Sequence, residues 1–300
     1  MRMYMTGFRD PVIMRMTEFQ LVSSQWIRFN DELAEEGVVV TPTEANETTF
    51  ELGQVSREKN SQKLPYNYFL PPGINRQQLG VNTFSQQLED ERSLVMRVCK
   101  LSDGDARGMY KITRNDLRQY ERLKMFVHAE PFEPDNGLTP SNFNQRGDAM
   151  VFIRLGLDND QNYYEYEMPL SPSDPALPNI RENVWLPENE FDIDLAAFAG
   201  AKSRRGASFG QIYRYRDTVG LPEGHAIVIK GTPKLSDVRN IMIGIRNPED
   251  GNTEPICMEV WVNELRLTNF SQSSGVATKF NGSATLADLA TFRVNGQYKS

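Results

Sequence analysis

The sequence is poor in cysteine and histidine and has no long hydrophobic run. Its two cysteines, Cys99 and Cys257, lie far apart inside the apolar runs LVMRVCKL and PICMEVWV. We expect buried free thiols, with a single disulfide as the alternative if the chain matures in an oxidising compartment. No stretch approaches the roughly 18 apolar residues that a transmembrane helix needs. A transmembrane β-strand is not excluded, because only every second residue of such a strand faces lipid.

Residue types that carry chemistry are also scarce. The two histidines, His128 and His225, each sit at the edge of a predicted strand, and no cysteine or serine motif accompanies them. The chain has no Walker loop and no G-x-G-x-x-G, and GAKSRRGASFG lacks the lysine-serine pair of a phosphate loop. We therefore predict no catalytic residue, no cofactor and no enzyme activity.

The charge balance is acidic. The formal net charge is -7 at pH 7 and the isoelectric point is about 5.1, which argues against a nucleic-acid-binding protein. The composition, with 39% hydrophobic and 24% charged residues, is that of a folded chain. It predicts a core large enough to be stable without metals.

Short apolar runs separated by prolines and polar turns predict four segments. They are N-terminal strands in residues 1–52, a connector in 53–91, a β-sandwich in 92–270, and strands of a different kind in 271–300.

The connector carries the stretch KLPYNYFLPPGINRQ. Pro65, Pro71 and Pro72 exclude a helix or a central strand, so an extended segment is predicted. Its aromatic residues, Tyr66 and Tyr68 among them, allow two interpretations. They dock on a neighbouring domain or partner, or they cover the core of their own domain.

The sandwich segment alternates strands and turns. AMVFIRLGLD and YYEYEMPL predict a hairpin, and HAIVIKG, VRNIMIGIRN and PICMEVWVNELRLTNF predict three more strands. The last two are expected to pair across the turn at Asp250-Gly251. TRNDLRQYERLKM predicts a helix capped by Thr113 or Asn115, and EFDIDLAAFAGAKS predicts an acidic helix. The fold class is therefore mainly β, a jelly-roll-like sandwich with a short helix insertion.

Two acidic groups and one aromatic group suggest binding or catalysis. Asp158 and Asp160 imitate the start of a calcium loop, but Tyr163 and Pro169 occupy the positions that need glycine and glutamate, so the candidate is weak. A second group could serve a glycosidase or the first turn of a helix: Glu188, Glu190, Asp192 and Asp194. The aromatic group suggests an alternative function, a carbohydrate-binding module that stacks sugars on exposed rings: Tyr163, Tyr164, Tyr166 and Trp261.

The end of the chain has two alternating segments, 276–286 and 290–299, joined by three residues. Each is about ten residues long, whereas strands of ordinary domains average five or six. Strands that cross an outer membrane need about nine to eleven residues. A membrane hairpin and an ordinary exposed hairpin both fit the periodicity.

Five stretches, in order, resemble the SprA (Sov) family of Bacteroidetes, the outer-membrane translocon of the type IX secretion system that is also linked to gliding motility. They are KLPYNYFLPPGINRQ, RNDLRQYERLKMFVHAE, FIRLGLDNDQNYYEYEMPL, RNIMIGIRNPED and EVWVNELRLTNF. The resemblance covers roughly residues 15–300, and the family-like connector comprises Tyr66, Tyr68, Pro71, Pro72 and Gly73.

This resemblance implies a piece of a very large β-barrel, with folded domains inserted between strands, that passes folded cargo through the outer membrane. The chain lacks a signal peptide and is short for the family, so we expect a fragment. The expected partners are cargo proteins, other secretion-system subunits and outer-membrane lipid. The last strand would face lipid with Ala290, Phe292, Val294 and Tyr298, and the lumen with Thr291, Arg293, Asn295, Gln297 and Lys299.

Overall fold

A computed structural model describes residues 26–34, 39–40, 47–76, 78–79, 87–134, 139–206, 210–216, 220–249, 251, 254–270, 277–286 and 290–299. Its strands are β1 Ile27–Arg28, β2 Glu32–Ala34, β3 Val39–Val40, β4 Thr49–Ser56, β5 Gln78–Leu79, β6 Gln87–Leu88, β7 Arg92–Leu101, β8 Asp105–Asn115, β9 Tyr120–Pro131, β10 Met150–Gly156, β11 Tyr163–Pro169, β12 Phe191–Asp194, β13 Tyr213–Tyr215, β14 Ala226–Lys230, β15 Val238–Arg246, β16 Ile256–Phe270, β17 Ala277–Leu286 and β18 Ala290–Lys299. The helices are α1 Arg181–Val184 and α2 Leu195–Arg205, with a short 3-10 turn at Pro187–Asn189 between them.

Two sheets form a β-sandwich. The larger sheet has nine strands in the order β13-β14-β11-β10-β15-β8-β2-β3, with β1 also paired to β8. The smaller sheet has five strands in the order β12-β9-β16-β7-β4. The predicted β-sandwich is therefore confirmed. Neither helix in the described ranges has the length and apolarity that a membrane crossing requires.

Alternation along the strands creates the core between the sheets. Val151, Ile153 and Leu155 of β10 point into it, opposite Met258 and Val260 of the smaller sheet, and all five are almost fully buried. Burying such side chains contributes roughly 1.5–3 kcal/mol each. The predicted hairpin of β10 and β11 is confirmed, with Met150 paired to Pro169 and Gly156 to Tyr163.

The helix predicted over 113–125 is wrong. β8 continues to Asn115, a tight turn follows, and β9 begins at Tyr120. The turn is stabilised by Asp116, whose carboxylate accepts the backbone N–H of Arg118 at 3.0 Å. Leu123, Met125 and Val127 alternate into the core, so pairing with a neighbouring strand outweighs the local helical preference.

The predicted pairing across Asp250-Gly251 is also wrong. β15 lies in the larger sheet between β10 and β8, whereas β16 lies in the smaller sheet between β9 and β7. The chain therefore crosses from one sheet to the other between these strands. Sandwiches commonly use such a crossing because it lets two successive apolar strands cover opposite sides of one core.

The predicted acidic helix begins later than expected. Residues 191–194 form β12, which pairs with β9, and α2 starts only at Leu195. Asp194 is the N-cap, and its carboxylate accepts the backbone N–H of Ala196 at 2.8 Å.

The expectation of free thiols is wrong as well. Cys99 of β7 and Cys257 of β16 form a disulfide, and both side chains are buried. The two strands are neighbours in the smaller sheet, and the register shift between Ile256 and Met258 brings the two cysteines opposite each other. The bond links residues separated by 158 positions.

Candidate functional site

The connector packs against the sandwich. Residues 57–76, here called the strap, lie on the outer face of the smaller sheet, and the predicted division at residue 53 falls inside β4. The side chains of its Tyr66 and Tyr68 are buried against the sheet, while Pro72 and Gly73 are exposed. The structure therefore places the two tyrosine rings against their own domain, and it leaves the Pro72-Gly73 turn at the surface.

Hydrogen bonds fix both tyrosines. Tyr66 Oη donates to the carbonyl of Ser173 at 2.5 Å, and Tyr68 Oη lies 2.9 Å from Ser93 Oγ. Asn263 Nδ2 donates to Tyr68 Oη at 3.1 Å. Burial raises the pKa of both phenols above the ordinary value, so they remain protonated donors.

An aromatic cluster lies under the strap. The ring centroid of Trp261 is 5.8 Å from that of Tyr68, 4.1 Å from that of His128 and 6.3 Å from that of Trp185. Trp185 Nε1 donates to the strap carbonyl of Phe69 at 2.9 Å. These rings join the strap to the loop that carries α1, so sheet, strap and loop form one packed layer.

A row of ionic side chains, of which the two acids are buried, crosses the same face. Arg97, Glu259 and Glu130 are direct cross-strand neighbours on β7, β16 and β9. Lys63 of the strap reaches both acids, with Nζ 2.5 Å from Glu130 Oε1 and 3.3 Å from Glu259 Oε1. Since two carboxylates this close repel each other, Lys63 both neutralises the pair and anchors the strap.

Glu259 remains ionised in this row. Burial raises its pKa, but the charge of Lys63 and the hydrogen bonds from Trp261 and Arg97 outweigh that effect and hold the pKa at about 2. Trp261 Nε1 donates to Glu259 Oε1 at 2.6 Å. Every one of these contacts stabilises the anion, which makes Glu259 a structural charge and a poor proton donor.

A second ionic network lies on the outer face of the larger sheet. Arg154 Nη2 is 2.5 Å from Glu165 Oε2, and Arg246 Nη1 is 3.0 Å from Glu165 Oε1. Burial raises the pKa of Glu165, but the two guanidinium groups outweigh it and the pKa is lowered. The Arg154 guanidinium also stacks over the Tyr163 ring at 3.8 Å. Sequence reasoning missed this network, because alternating charges on a strand suggest a solvated face.

The candidate calcium ligands are used by their own turn. Asp158 Oδ1 accepts the backbone N–H groups of Asp160, Gln161 and Asn162, and Asp160 Oδ1 pairs with Lys230 Nζ at 3.0 Å. No group of three or more metal-ligating side chains occurs in the part of the chain that the structure describes.

The acidic group after residue 187 is dispersed. Glu188 lies in the 3-10 turn, and Asp192 pairs with Arg122 and with Lys124 Nζ, the latter at 3.1 Å. Asp194 caps α2. Asp194 and Glu188 thus lie at helix starts, and Asp192 is taken up by two ion pairs with β9.

The rings proposed for sugar stacking are not exposed. Tyr163, Tyr164, Tyr166 and Trp261 are each at most 4% exposed. A stacking platform needs an accessible ring face, so the observation that suggested a carbohydrate-binding module does not hold in this structure.

His225 provides a pH-dependent element. Its Nδ1 lies 2.9 Å from Tyr166 Oη, and burial, reinforced by the charge of Arg146, lowers its pKa to about 4. The imidazole of His225 takes up a proton near pH 6.5 in the unfolded chain but only near pH 4 in the folded chain. The free energy of unfolding therefore falls as the pH drops from about 6.5 to about 4. We expect a loss of about 1–2 kcal/mol over this window, less than the full shift implies because solvent screens the half-buried ring, and no such loss in His225→Gln, as measured by urea unfolding at several pH values. An equal pH slope in wild type and variant would contradict this assignment.

The C-terminal hairpin is two-faced. β17 and β18 pair over their full length, and the predicted strand 290–299 is confirmed. Cross-strand partners share a face, so Lys279, Asn281 and Ser283 join Gln297, Asn295 and Arg293 on one side. The other side contains the register pairs Phe280 with Gly296 and Gly282 with Val294. Phe280 and Val294 are 61% and 60% exposed, so this apolar side is uncovered.

Together these features define a β-sandwich with buried structural charges and an attached two-faced hairpin, and no constellation among the described residues resembles a catalytic centre. A family model described as a motility related/secretion protein, SprA_N, matches residues 1–300. The chain therefore belongs to the SprA_N family of motility and secretion proteins.

Comparisons with individual proteins add little. No curated protein matches the chain. A solved structure of the family 11 carbohydrate-binding module from Clostridium thermocellum, in complex with a β-1,3-1,4-mixed-linked tetrasaccharide, is similar with a TM-score of 0.37 and 10% identity over 82% of this chain and 89% of that chain. Similarity of this degree carries no argument about function.

Proposed function

We propose that this chain is a structural part of a large outer-membrane β-barrel that conducts folded proteins across the membrane in type IX secretion and gliding motility. The sandwich is a folded domain inserted in that barrel, and the hairpin of β17 and β18 belongs to the barrel wall. The observation that carries the proposal is the two-faced hairpin in a chain of a motility and secretion family.

Strand length and pairing support a place in a barrel wall. Each strand of the hairpin has 10 residues, within the range of about nine to eleven for an outer-membrane crossing. Within the described residues, the hairpin pairs with no other strand, so its outer edges present free backbone groups. In a membrane such groups need neighbouring strands, and a barrel supplies them.

The two faces then have separate partners. Lipid would contact Ala290, Phe292, Val294 and Tyr298, and water in the lumen would contact Thr291, Arg293, Asn295, Gln297 and Lys299. Cargo proteins and other secretion-system subunits would meet the lumen or the sandwich. The disulfide favours an oxidising compartment such as the periplasm or the cell surface, consistent with an outer-membrane location.

Cysteine labelling tests the orientation. Within these 300 residues the two native cysteines are joined in the disulfide, so Val294→Cys or Asn295→Cys introduces the reactive thiol of this part of the protein. Labelling of the parent without either substitution gives the background. In outer membranes from cells that express the full-length parent, we expect a membrane-impermeant maleimide to label position 295 at least about tenfold faster than position 294. The physical reason is that thiols in hydrocarbon stay protonated and inaccessible to water.

Denaturation provides the control, since both positions should then label equally. Equal labelling in intact membranes, or recovery of the parent only in the soluble periplasmic fraction, would refute the proposal.

A further inference from the structure

A cavity of about 430 Å³ opens between the two sheets. Its size falls within the range of small-molecule sites, about 300–1,000 Å³. Both sheets supply apolar walls, β9 and β16 on one side and β15 on the other. The wall residues include Leu94, Leu123, Met125, Ile241, Ile243 and Leu265.

A bulge in β16 builds one wall. The pairing with β9 shifts between Asn263 and Arg266, and Glu264 has a φ of 54°, which non-glycine residues rarely adopt. Before the bulge, even-numbered residues such as Val262 face the core. After it, Leu265 and Leu267 do so. The extra residue thus reverses the faces of the strand and extends the apolar wall.

The rim of the cavity is cationic and polar. Lys111 lies opposite Ile241 in register and therefore faces inward, and Thr113 follows it on the same side of β8. Arg92, at the start of β7, also lines the rim, and its Nε lies 3.3 Å from Asp90 Oδ2. Ile112, between the two inward residues, is 67% exposed on the opposite side of the sheet. Burying an unpaired cation in a dry core is unfavourable, so an inward-facing Lys111 has no evident role in stabilising this end of the sandwich.

The rim also includes charges of both signs. Glu264 lines it near Arg92, whereas Arg266 is turned to the outer face of the smaller sheet, with its guanidinium over the Phe126 ring at 5.0 Å. Lys111 and Arg92 are therefore the cations of the rim, and their charge favours an anionic group over a neutral or cationic one.

We propose that this cavity binds the unbranched alkyl chain of a single-chain carboxylate of the fatty-acid class. The chain lies between the sheets, and its carboxylate contacts Lys111 and Arg92 at the rim. This binding site is independent of the transport function proposed above, and its failure would leave that function untouched.

Tryptophan quenching tests the proposal. Trp26 lines the cavity, whereas Trp185 and Trp261, the other two tryptophans of the chain, lie under the strap on the far side of the smaller sheet. Bromine quenches indole fluorescence on contact. We expect ω-bromoundecanoic acid to quench the wild-type protein saturably and to leave the Trp26→Phe variant nearly unchanged. Absence of saturable quenching, or equal quenching of both proteins, would overturn the assignment.

A matched pair of variants tests the position of the ligand. Thr113→Phe fills the cavity from β8, and Ile112→Phe places the same ring on the outer side of the same strand. We expect affinity to fall at least about tenfold in the first variant and to stay within about twofold in the second. Thermal unfolding checks that both variants fold. A folded Thr113→Phe variant that binds as tightly as wild type would exclude this cavity.

The head group is tested separately. Lys111→Met removes the rim charge while keeping the aliphatic stem, and Arg114→Met removes an exposed charge from the neighbouring part of β8. We expect affinity about fivefold lower in the first and unchanged in the second. The neutral ω-bromoundecanol should likewise bind about fivefold more weakly than the acid. Equal binding of alcohol and acid would overturn the assignment of a carboxylate ligand.

Discussion

Reduction of the Cys99–Cys257 disulfide is expected to lower the free energy of unfolding by about 5 kcal/mol. The bond closes a loop of 158 positions, and in the chain-entropy description the stabilisation grows with the logarithm of loop length. The bond joins neighbouring strands that are already paired in the folded sheet. Its main effect is therefore to restrict the conformations of the unfolded chain. Urea unfolding with and without reductant measures the difference, and mass spectrometry after alkylation reports the redox state.

The control is the double variant Cys99→Ala and Cys257→Ala. It should resemble the reduced wild type and respond to reductant by less than about 0.5 kcal/mol. A wild-type protein with two alkylatable thiols before reduction, or with the same midpoint in both conditions, would contradict the structure.

Replacement of Trp261 by alanine is expected to cost about 3–5 kcal/mol. The ring is fully buried at the centre of the aromatic cluster, and its Nε1 is a donor to the ionised Glu259. The variant therefore leaves a cavity beneath the strap and removes one of the hydrogen bonds that hold the anion. Chemical denaturation gives the magnitude. Limited trypsin digestion at Lys63 should also accelerate, because the strap loses part of the surface that it packs on.

Phe280→Ala is the matched control, since Phe280 is 61% exposed and its loss should change stability by no more than about 0.5 kcal/mol. If Trp261→Ala unfolded at the same denaturant concentration as Phe280→Ala, the packing of the strap on the smaller sheet would be wrong.

Strands with alternating side chains could be predicted from the sequence. In β10, β11 and β18 every second residue has the same character, and the structure contains strands at these places. The reason is physical: successive side chains of a pleated strand point to opposite sides, so a period of two in residue type reflects two sides with different surroundings. Thus Val151, Ile153 and Leu155 could be assigned to the core before any coordinates were known.

Long-range pairing could not be predicted in the same way. The sequence predicts β16 beside β15, but a turn signal such as Asp250-Gly251 does not indicate whether the chain returns in its own sheet or crosses to the other. The segment from Asn115 to Met125 has a helical pattern over a few residues, yet its burial follows the sheet. In both cases, contacts distant in sequence decide between locally equivalent alternatives.

The ionic row of the smaller sheet could not be predicted, for the same reason. Arg97 and Glu259 are 162 positions apart, and Lys63 reaches Glu130 over 67 positions. Each residue alone suggests a solvated surface, and only the register of β7, β16 and β9 together with the strap brings them into one row with two buried acids. The connector tyrosines Tyr66 and Tyr68 are buried, but which surface they cover depends on the same register.

The position of β16 in the smaller sheet has a mechanical consequence. This strand of 15 residues is bonded on both sides, and it ends at Phe270, on the side of the sandwich from which the chain proceeds toward the hairpin. A pull exerted from that end runs along the strand axis, so the perpendicular ladder bonds to β7 and β9 bear the load in parallel and must shear together. The covalent link to β7 near the opposite end stops the strand from sliding out. A pull from this end is thus resisted by the ladder bonds of β16 and by the disulfide before β16 can leave the smaller sheet.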